Sequence, residues 1–304
     1  MKINLFILYF FFATTYANAS FKSYDLVLPN LKRQNGISKV AVKIWKDSVV
    51  KADILYFHGH ADQAANHNRL FTDLSGKGFR VIGFDLPQHG DSKLGSLDLY
   101  SFDDLLKIAA AVEKDNFESA RPLYLMGWSF GGFLLLKGLK SKEFLNALSR
   151  TPAGFMALSP AVQGKMLVGQ DGWVRLSTLT QNEDLVAVAK PKPTTIFATP
   201  VFAARYLIES LILKSQSADY KIRHLILFSD PKLDYYVDIT DSKNWFNKTE
   251  NTQRQVFNCN EAYHALDFEP IAIYQEVEDQ ILSFLENRKS QVRTPRFCKN
   301  QVVK

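Results

Sequence analysis

Short apolar runs without polar alternation recur along this chain, and stretches with helical spacing separate them. The runs are residues 53–57 (DILYF), 80–84 (RVIGF), 123–126, 153–158, 224–228 (HLILF) and 255–259. A strand with one face in water alternates apolar and polar positions. Runs that do not alternate read as strands covered on both faces, as in a parallel sheet. Lys39–Trp45 (KVAVKIW) does alternate and reads as an early strand. Helices are expected over 67–77, 101–115, 130–140 and 270–288. Ser101 stands as N-cap before the acids Asp103 and Asp104, and Pro270 stands near the start of the last helix. Strands alternating with helices predict an α/β fold with a mostly parallel central sheet flanked by helices.

One interval breaks this rhythm. More than 60 residues separate the strand ending near Leu158 from the strand at His224. A plain crossover is much shorter. The interval 161–222 contains Gln170-Asp171-Gly172-Trp173, Pro191-Lys192-Pro193 and an apolar-rich run over 199–214. It is expected to be a lid inserted into the single 20–304 domain, not a separate domain.

Residues 1–19 are expected to lie outside the fold. Lys2 precedes a ten-residue apolar stretch, residues 3–12 (INLFILYFFF), and Ala17-Asn18-Ala19 offers small residues for cleavage before Ser20. That is the layout of a signal peptide, and the stretch is too short for a bilayer, which needs about 20 apolar residues. No later segment is long and apolar enough to span a membrane. The expectation is an exported protein, periplasmic or secreted. Its two cysteines, Cys259 and Cys298, are an even count for an oxidising compartment and are expected to pair. Asn247-Lys248-Thr249 is a glycosylation sequon, relevant only in a eukaryotic host. The net charge of +6 comes from scattered residues without a basic run, so no nucleic-acid partner is expected.

Chemistry concentrates in Gly127-Trp128-Ser129-Phe130-Gly131-Gly132, a G-x-S-x-G motif between an expected strand and an expected helix. A serine there stands on a sharp, strained turn with its hydroxyl exposed. Glycines let strand and helix pack closely around it, and the helix N-terminus points N–H groups at a developing oxyanion. Over residues 40–288 the chain resembles the α/β-hydrolase family. Within that family it is similar to the monoacylglycerol lipase, lysophospholipase and S33 serine aminopeptidase branch. Phe57-His58-Gly59-His60 matches the family's His-Gly oxyanion turn. Residues 85–92 (DLPQHGDS) match its D-x-P-x-H-G-x-S turn, with Gln88 where Gly is usual. The resemblance implies oxyanion donors at the backbone N–H groups of Phe130 and His60, with Ala61 as the alternative to His60.

Three aspartates follow the strand over 224–228: Asp230, Asp234 and Asp238. Asp230-Pro231 reads as a turn start. Asp234-Tyr235-Tyr236-Val237-Asp238 resembles the family's D-x-x-V-D, whose first Asp is the catalytic acid. Among the histidines only His264 follows these acids, in a loop before the last helix where the family carries its base. The clustering of His58, His60, His67 and His89 lacks carboxylate or Cys ligands at metal spacing, so no metal and no cofactor are expected. The expectation is a serine hydrolase acting on acyl esters or single-chain lipids through Ser129, His264 and Asp234 and an acyl-enzyme. An aminopeptidase would need an acid in the lid, for which Glu183, Asp184 and Glu209 are available. A catalytically silent binding protein is the remaining alternative. An Asp at position 129 would have pointed to dehalogenase or epoxide hydrolase chemistry.

Overall fold

The computed structural model describes residues 21–28, 31, 38–165, 176–188, 198–248, 253–292 and 294–300. Residues 1–19, read above as a signal peptide, Gln170–Trp173, Pro191–Pro193 and Thr249 of the sequon lie outside them. Nine strands form one sheet among the described residues: β1 (Lys22–Val27), β2 (Lys39–Trp45), β3 (Ala52–Phe57), β4 (Phe79–Phe84), β5 (Leu123–Trp128), β6 (Gly154–Leu158), β7 (Arg223–Phe228), β8 (Arg254–Cys259) and β9 (Cys298–Asn300). Their order is β1-β2-β4-β3-β5-β6-β7-β8-β9. The pairs from β4 through β8 are parallel, whereas β1–β2, β2–β4 and β8–β9 are antiparallel.

Burial follows the runs read from sequence. Every residue of β3, β4, β5 and β6 is buried, while β8, next to the edge, is only partly covered. Helices cover both faces: α1 (Asn68–Gly76), α2 (Phe102–Asp115), α3 (Phe130–Gly138), α4 (Lys142–Ala147), α5 (Leu176–Leu179), α6 (Glu183–Val188), α7 (Pro200–Ser215), α8 (Ile239–Asn247) and α9 (Ile271–Leu285). Ser101 caps α2 reciprocally: it accepts from the Asp104 N–H at 3.1 Å, and Asp104 Oδ2 accepts from the Ser101 N–H at 3.1 Å. The helix expected over 130–140 stops at Gly138, and Ser141 caps a separate short α4.

The sequence reading missed both edge strands. β1 is largely exposed and β9 has three residues, so neither carries a burial pattern long enough to read. β9 is fixed by other means. A disulfide of 2.04 Å joins Cys259 to Cys298. Glu276 on α9 also accepts the backbone N–H groups of Arg296, Phe297 and Cys298 at 2.8–2.9 Å.

Within residues 161–222, Thr199 caps α7 through the Phe202 N–H at 3.0 Å, and Pro200 occupies its first turn. Tyr206 Oη on α7 donates to the Ala161 carbonyl at 2.5 Å, and Arg205 donates to the carbonyls of Tyr100 and Asp98. The inner side of α7 buries Phe202 and Leu213, while Val201, Leu207, Ile208, Leu211 and Ile212 remain exposed. No helix among the described residues is long and apolar enough to cross a membrane.

Candidate active site

Parallel strands in register end side by side, so the loops that follow them gather at one sheet edge. Phe57 pairs with Gly127, Trp128 with Leu158, Leu158 with Leu227 and Phe228 with Asn258. His58, Ser129, Ser229 and the loop with His264 therefore emerge at a common level.

Ser129 adopts φ 54° and ψ −120° between β5 and α3. This left-handed conformation is costly for a residue with a Cβ and persists only where the surroundings over-determine it. Here its N–H donates to the Leu158 carbonyl at 3.0 Å. Its own carbonyl accepts from Phe133 at 3.0 Å and Ala161 at 2.9 Å. The close approach also depends on flanking glycines. A Cβ on Gly131 would lie 2.1 Å from the Phe57 carbonyl oxygen, and one on Gly59 would lie 2.7 Å from the Trp128 ring.

The Ser129 hydroxyl donates to Nε2 of His264 at 2.7 Å, and the His264 Nδ1–H donates to Asp234 Oδ2 at 2.7 Å. The same Oδ2 accepts from the Ser229 hydroxyl at 2.5 Å, and Oδ1 accepts the N–H groups of Tyr236 at 2.9 Å and Val237 at 2.8 Å. Burial alone would raise the Asp234 pKa. The adjacent His264 charge, with the hydrogen bonds from His264, Ser229 and Val237, outweighs it and holds the carboxyl below its ordinary value. The other two aspartates have local work. Asp230 accepts the Lys232 N–H at 2.9 Å and the Glu261 N–H at 3.0 Å, and Asp238 caps α8 through Asp241 at 2.9 Å.

The Phe130 N–H opens α3 and has no carbonyl one turn back within the helix. The Ala61 N–H is already committed, donating to His89 Nε2 at 3.0 Å. Of the two positions considered after His-Gly, His60 is therefore the one whose N–H is not taken by that bond. The four clustered histidines do separate tasks. His58 Nε2 accepts from the Leu86 N–H at 2.9 Å, so its Nδ1–H donates to the Gly59 carbonyl at 2.7 Å. His89 likewise accepts at Nε2, so its Nδ1–H donates to the Pro87 carbonyl at 2.7 Å. Burial lowers the pKa of both and keeps them neutral. His67 stands apart, bonded at both nitrogens to carboxylates. No group of three or more His, Cys, Asp or Glu among the described residues could hold a metal ion.

Gln88 takes the left-handed φ of 67° that glycine favours, and its Oε1 accepts the Leu97 N–H at 3.0 Å. Gly90 in the same turn admits no side chain, since a Cβ would lie 2.1 Å from Asp85 Oδ2. Asp85 in turn accepts from the N–H groups of Ala64 at 3.0 Å and Asp91 at 2.9 Å and pairs with the buried Lys43.

Several supporting residues escaped sequence reasoning. Trp128 Nε1–H donates to the His264 carbonyl at 3.0 Å, and Ser229 braces Asp234. Trp128 occupies the variable position of the motif. Ser229 follows β7 directly, and nothing in its neighbours marks it.

The family model for serine aminopeptidase, S33, matches residues 48–271. No curated protein sequence matches the chain. Among solved structures, a soluble variant of the monoglyceride lipase from Saccharomyces cerevisiae, in complex with a substrate analog, superposes with a TM-score of 0.67. It is 14% identical, over 88% of this chain and 94% of that one. The Paleococcus ferrophilus monoacylglycerol lipase gives 0.65 at 18% identity, over 82% and 99%. A thermostable carboxyl esterase from Bacillus coagulans, in complex with glycerol, gives 0.65 at 13% identity, over 88% and 98%. The sheet order, the serine turn and these matches lead to one assignment: the chain belongs to the S33 serine aminopeptidase family of hydrolases and has the α/β-hydrolase fold.

Proposed function

We propose that the protein is a serine hydrolase that cleaves acyl esters of single-chain lipids, in the manner of a monoacylglycerol lipase or lysophospholipase. The observation that carries this reading is the unbroken hydrogen-bonded chain from Ser129 through His264 to Asp234, with the serine on its strained turn.

The steps follow from the geometry. Ser129 Oγ attacks the ester carbonyl while His264 Nε2 takes its proton. Asp234, already ionised, fixes the tautomer that leaves Nε2 free to accept and stabilises the imidazolium. The N–H groups of Phe130 and His60 hold the oxyanion. His264 returns the proton to the leaving alcohol. Water, deprotonated by the same nitrogen, then releases the acid from the acyl-enzyme. Removing one oxyanion donor costs about 10²–10³ in rate, so the two N–H groups are a major part of the catalysis.

The lipid assignment draws on α7. Phe202 packs against His60 at 4.7 Å and Phe130 at 5.1 Å between ring centroids, so an apolar wall stands beside both proposed oxyanion positions. In this reading 161–222 is a lid that lines the acyl site. The monoacylglycerol and monoglyceride lipases among the structural neighbours favour the same class. Export with cleavage before Ser20 completes the proposal, and the Cys259–Cys298 disulfide suits an oxidising compartment.

The family's name favours a second reading, an aminopeptidase. It needs a carboxylate to hold a substrate amine. Glu209 is 3.1 Å from Lys137 and thereby neutralised, which leaves Glu183 and Asp184 on α6. A fluorophosphonate probe followed by paired acyl esters and aminoacyl amides tests both. Labelling that vanishes in Ser129→Ala, with esters of medium or long chains turned over fastest, is expected. Preference for acetyl esters ends the lipid assignment, preference for amides selects the aminopeptidase, and absence of labelling selects a silent binding protein.

A further inference from the structure

His67 is buried, with 1% of its surface exposed, and bonds two carboxylates. Its Nε2 lies 2.7 Å from Asp62 Oδ2, and its Nδ1 lies 2.6 Å from Asp267 Oδ2. A carboxylate can only accept, so both ring nitrogens must donate, and a ring with two N–H groups is an imidazolium. The two acids belong to different parts of the proposed machinery. Asp62 lies two residues beyond His60, and Asp267 lies three residues beyond His264. The His67 ring also packs on Trp128, at 5.3 Å between centroids. Trp128 precedes Ser129 and donates to the His264 carbonyl. The oxyanion loop, the loop with His264 and the strand end before Ser129 therefore each touch His67 or carry one of its partners.

We propose that His67 is a positioning residue: a constant imidazolium, bridged to Asp62 and Asp267, that clamps the oxyanion loop to the loop carrying His264. The inference rests on the hydrolase reading for its catalytic consequence, whereas its charge state rests on the two carboxylate contacts and is independent of that reading. The groups facing the ring are Asp62, Asp267, the neutral His58 and the Tyr56 phenol, whose ring is 4.9 Å away. Burial would strip the proton from such a ring. The charges of Asp267 and Asp62 prevail and lift its pKa to about 10. Asp62 is further held by Asn66 Nδ2 at 2.7 Å, whereas Asp267 Oδ1 is buried with no hydrogen-bond partner among the described residues. Asp267 thus depends on His67 more heavily than Asp62 does. Without the cation, two buried carboxylates would face one another, and the loop with His264 would lose its tie to the oxyanion loop.

The test has two independent readouts. In the wild type, histidine-selective ¹H–¹⁵N spectra should show two ring N–H protons on His67 from pH 6 to 9. A single ring N–H in that range overturns the clamp as a cation. In His67→Gln, kcat should fall by about tenfold to a hundredfold with KM within about twofold, as expected for a small misplacement of reacting groups. The fluorophosphonate labelling rate should fall in step. The bare carboxylates should also move the acid limb of the kcat/KM profile to higher pH, an effect that loss of packing does not produce. Should His67→Gln fail to fold, Asp267→Asn is expected to lower kcat in the same manner. Wild-type kcat in folded His67→Gln or Asp267→Asn, with only a lower melting temperature, overturns the positioning role. A wild type that the probe does not label overturns the hydrolase reading instead, and the spectrum then decides the clamp.

Discussion

His264 Nδ1 and Asp234 Oδ2 are 2.7 Å apart, on a carboxylate that also accepts from Ser229, Tyr236 and Val237. That carboxylate is fully supplied with donors, so in the proposed mechanism it orients the ring and does not take its proton. Replacing it with the isosteric amide should leave the fold intact and present the wrong hydrogen-bonding partner to His264. Asp234→Asn is expected to lower kcat about 10⁴-fold. Asp230→Asn and Asp238→Asn, which keep an accepting oxygen for the local turn and cap, should stay within about tenfold, since Asn caps a helix about as well as Asp. Steady-state ester hydrolysis by the three variants checks the order.

Gly59 is filled on its open side by Trp128 and Ser129 Cβ, the latter 3.3 Å from a would-be methyl. Gly59→Ala should displace the Trp128 ring and with it the His264 carbonyl. Overpacking of this kind costs about 1–3 kcal/mol in stability. Activity should drop further than stability does, by on the order of 10²-fold, because the reacting groups move. Thermal melts beside kcat measurements separate the two effects.

Acid should destabilise the protein well above the carboxylate range. Burial holds His58 and His89 below the ordinary imidazole pKa, and His60 and His224 at about 4. Each takes a proton on unfolding once pH falls below about 6.5, so stability is lost from there towards pH 4. Asp234, with its lowered pKa, works in the same direction at the acid end. Glu269, raised to about 7 by burial, and Glu278, also raised by burial, work the other way, but they are two carboxyls against four imidazoles. The bridged His67 contributes between pH 6.5 and about 10, where its stabilisation is lost as pH rises. Melting temperatures from pH 4 to 10 should therefore peak near neutrality. A flat acid side would contradict the assignment of neutral, buried histidines.

Reduction should act through the C-terminal edge. The Cys259–Cys298 bond closes a loop with a sequence separation of 39, for which chain entropy gives about 3–4 kcal/mol. Cys298→Ser or reductant should lower the melting temperature by roughly 5–10 °C. The carboxylate of Glu276 still holds the backbone of the tail, so activity at 25 °C should remain within about threefold if the loss is confined to that edge. Calorimetry and rate measurements with and without reductant check both.

Phe202→Ala should widen the wall beside His60 and Phe130. The ratio of long-chain to short-chain ester turnover is expected to change by about tenfold or more, the scale that a few methylene contacts support. An unchanged ratio would place the acyl chain elsewhere.

The candidate chemistry was legible because it is local. A serine between glycines after an apolar run, a histidine in the last loop and an aspartate in a D-x-x-V-D stretch are each marked by their immediate neighbours. The central strands were legible for a related reason, since burial on both faces leaves an uninterrupted apolar run. Edge strands β1 and β9 carry no such mark. β9 is defined by a disulfide and by the Glu276 carboxylate on a helix far back in the chain. His67 reads in sequence as one more histidine near a corner, because its partners are Asp62, close by, and Asp267, which is 200 residues away.

Residue order alone determined the α/β alternation, the serine turn and the small set of acids and histidines from which a site could be built. It offered three aspartates after β7 and two backbone positions after His58-Gly59. Tertiary structure gave the members of those sets different partners. Asp234 meets His264 because β7 and β8 are adjacent and in register, while Asp230 and Asp238 are spent on turns and a helix cap. Ala61 is taken by His89, which reaches it from the turn after β4. Hydrogen bonds and charges act over a few ångströms of space and are indifferent to distance along the chain, so the identity of each partner is fixed only when the strands align.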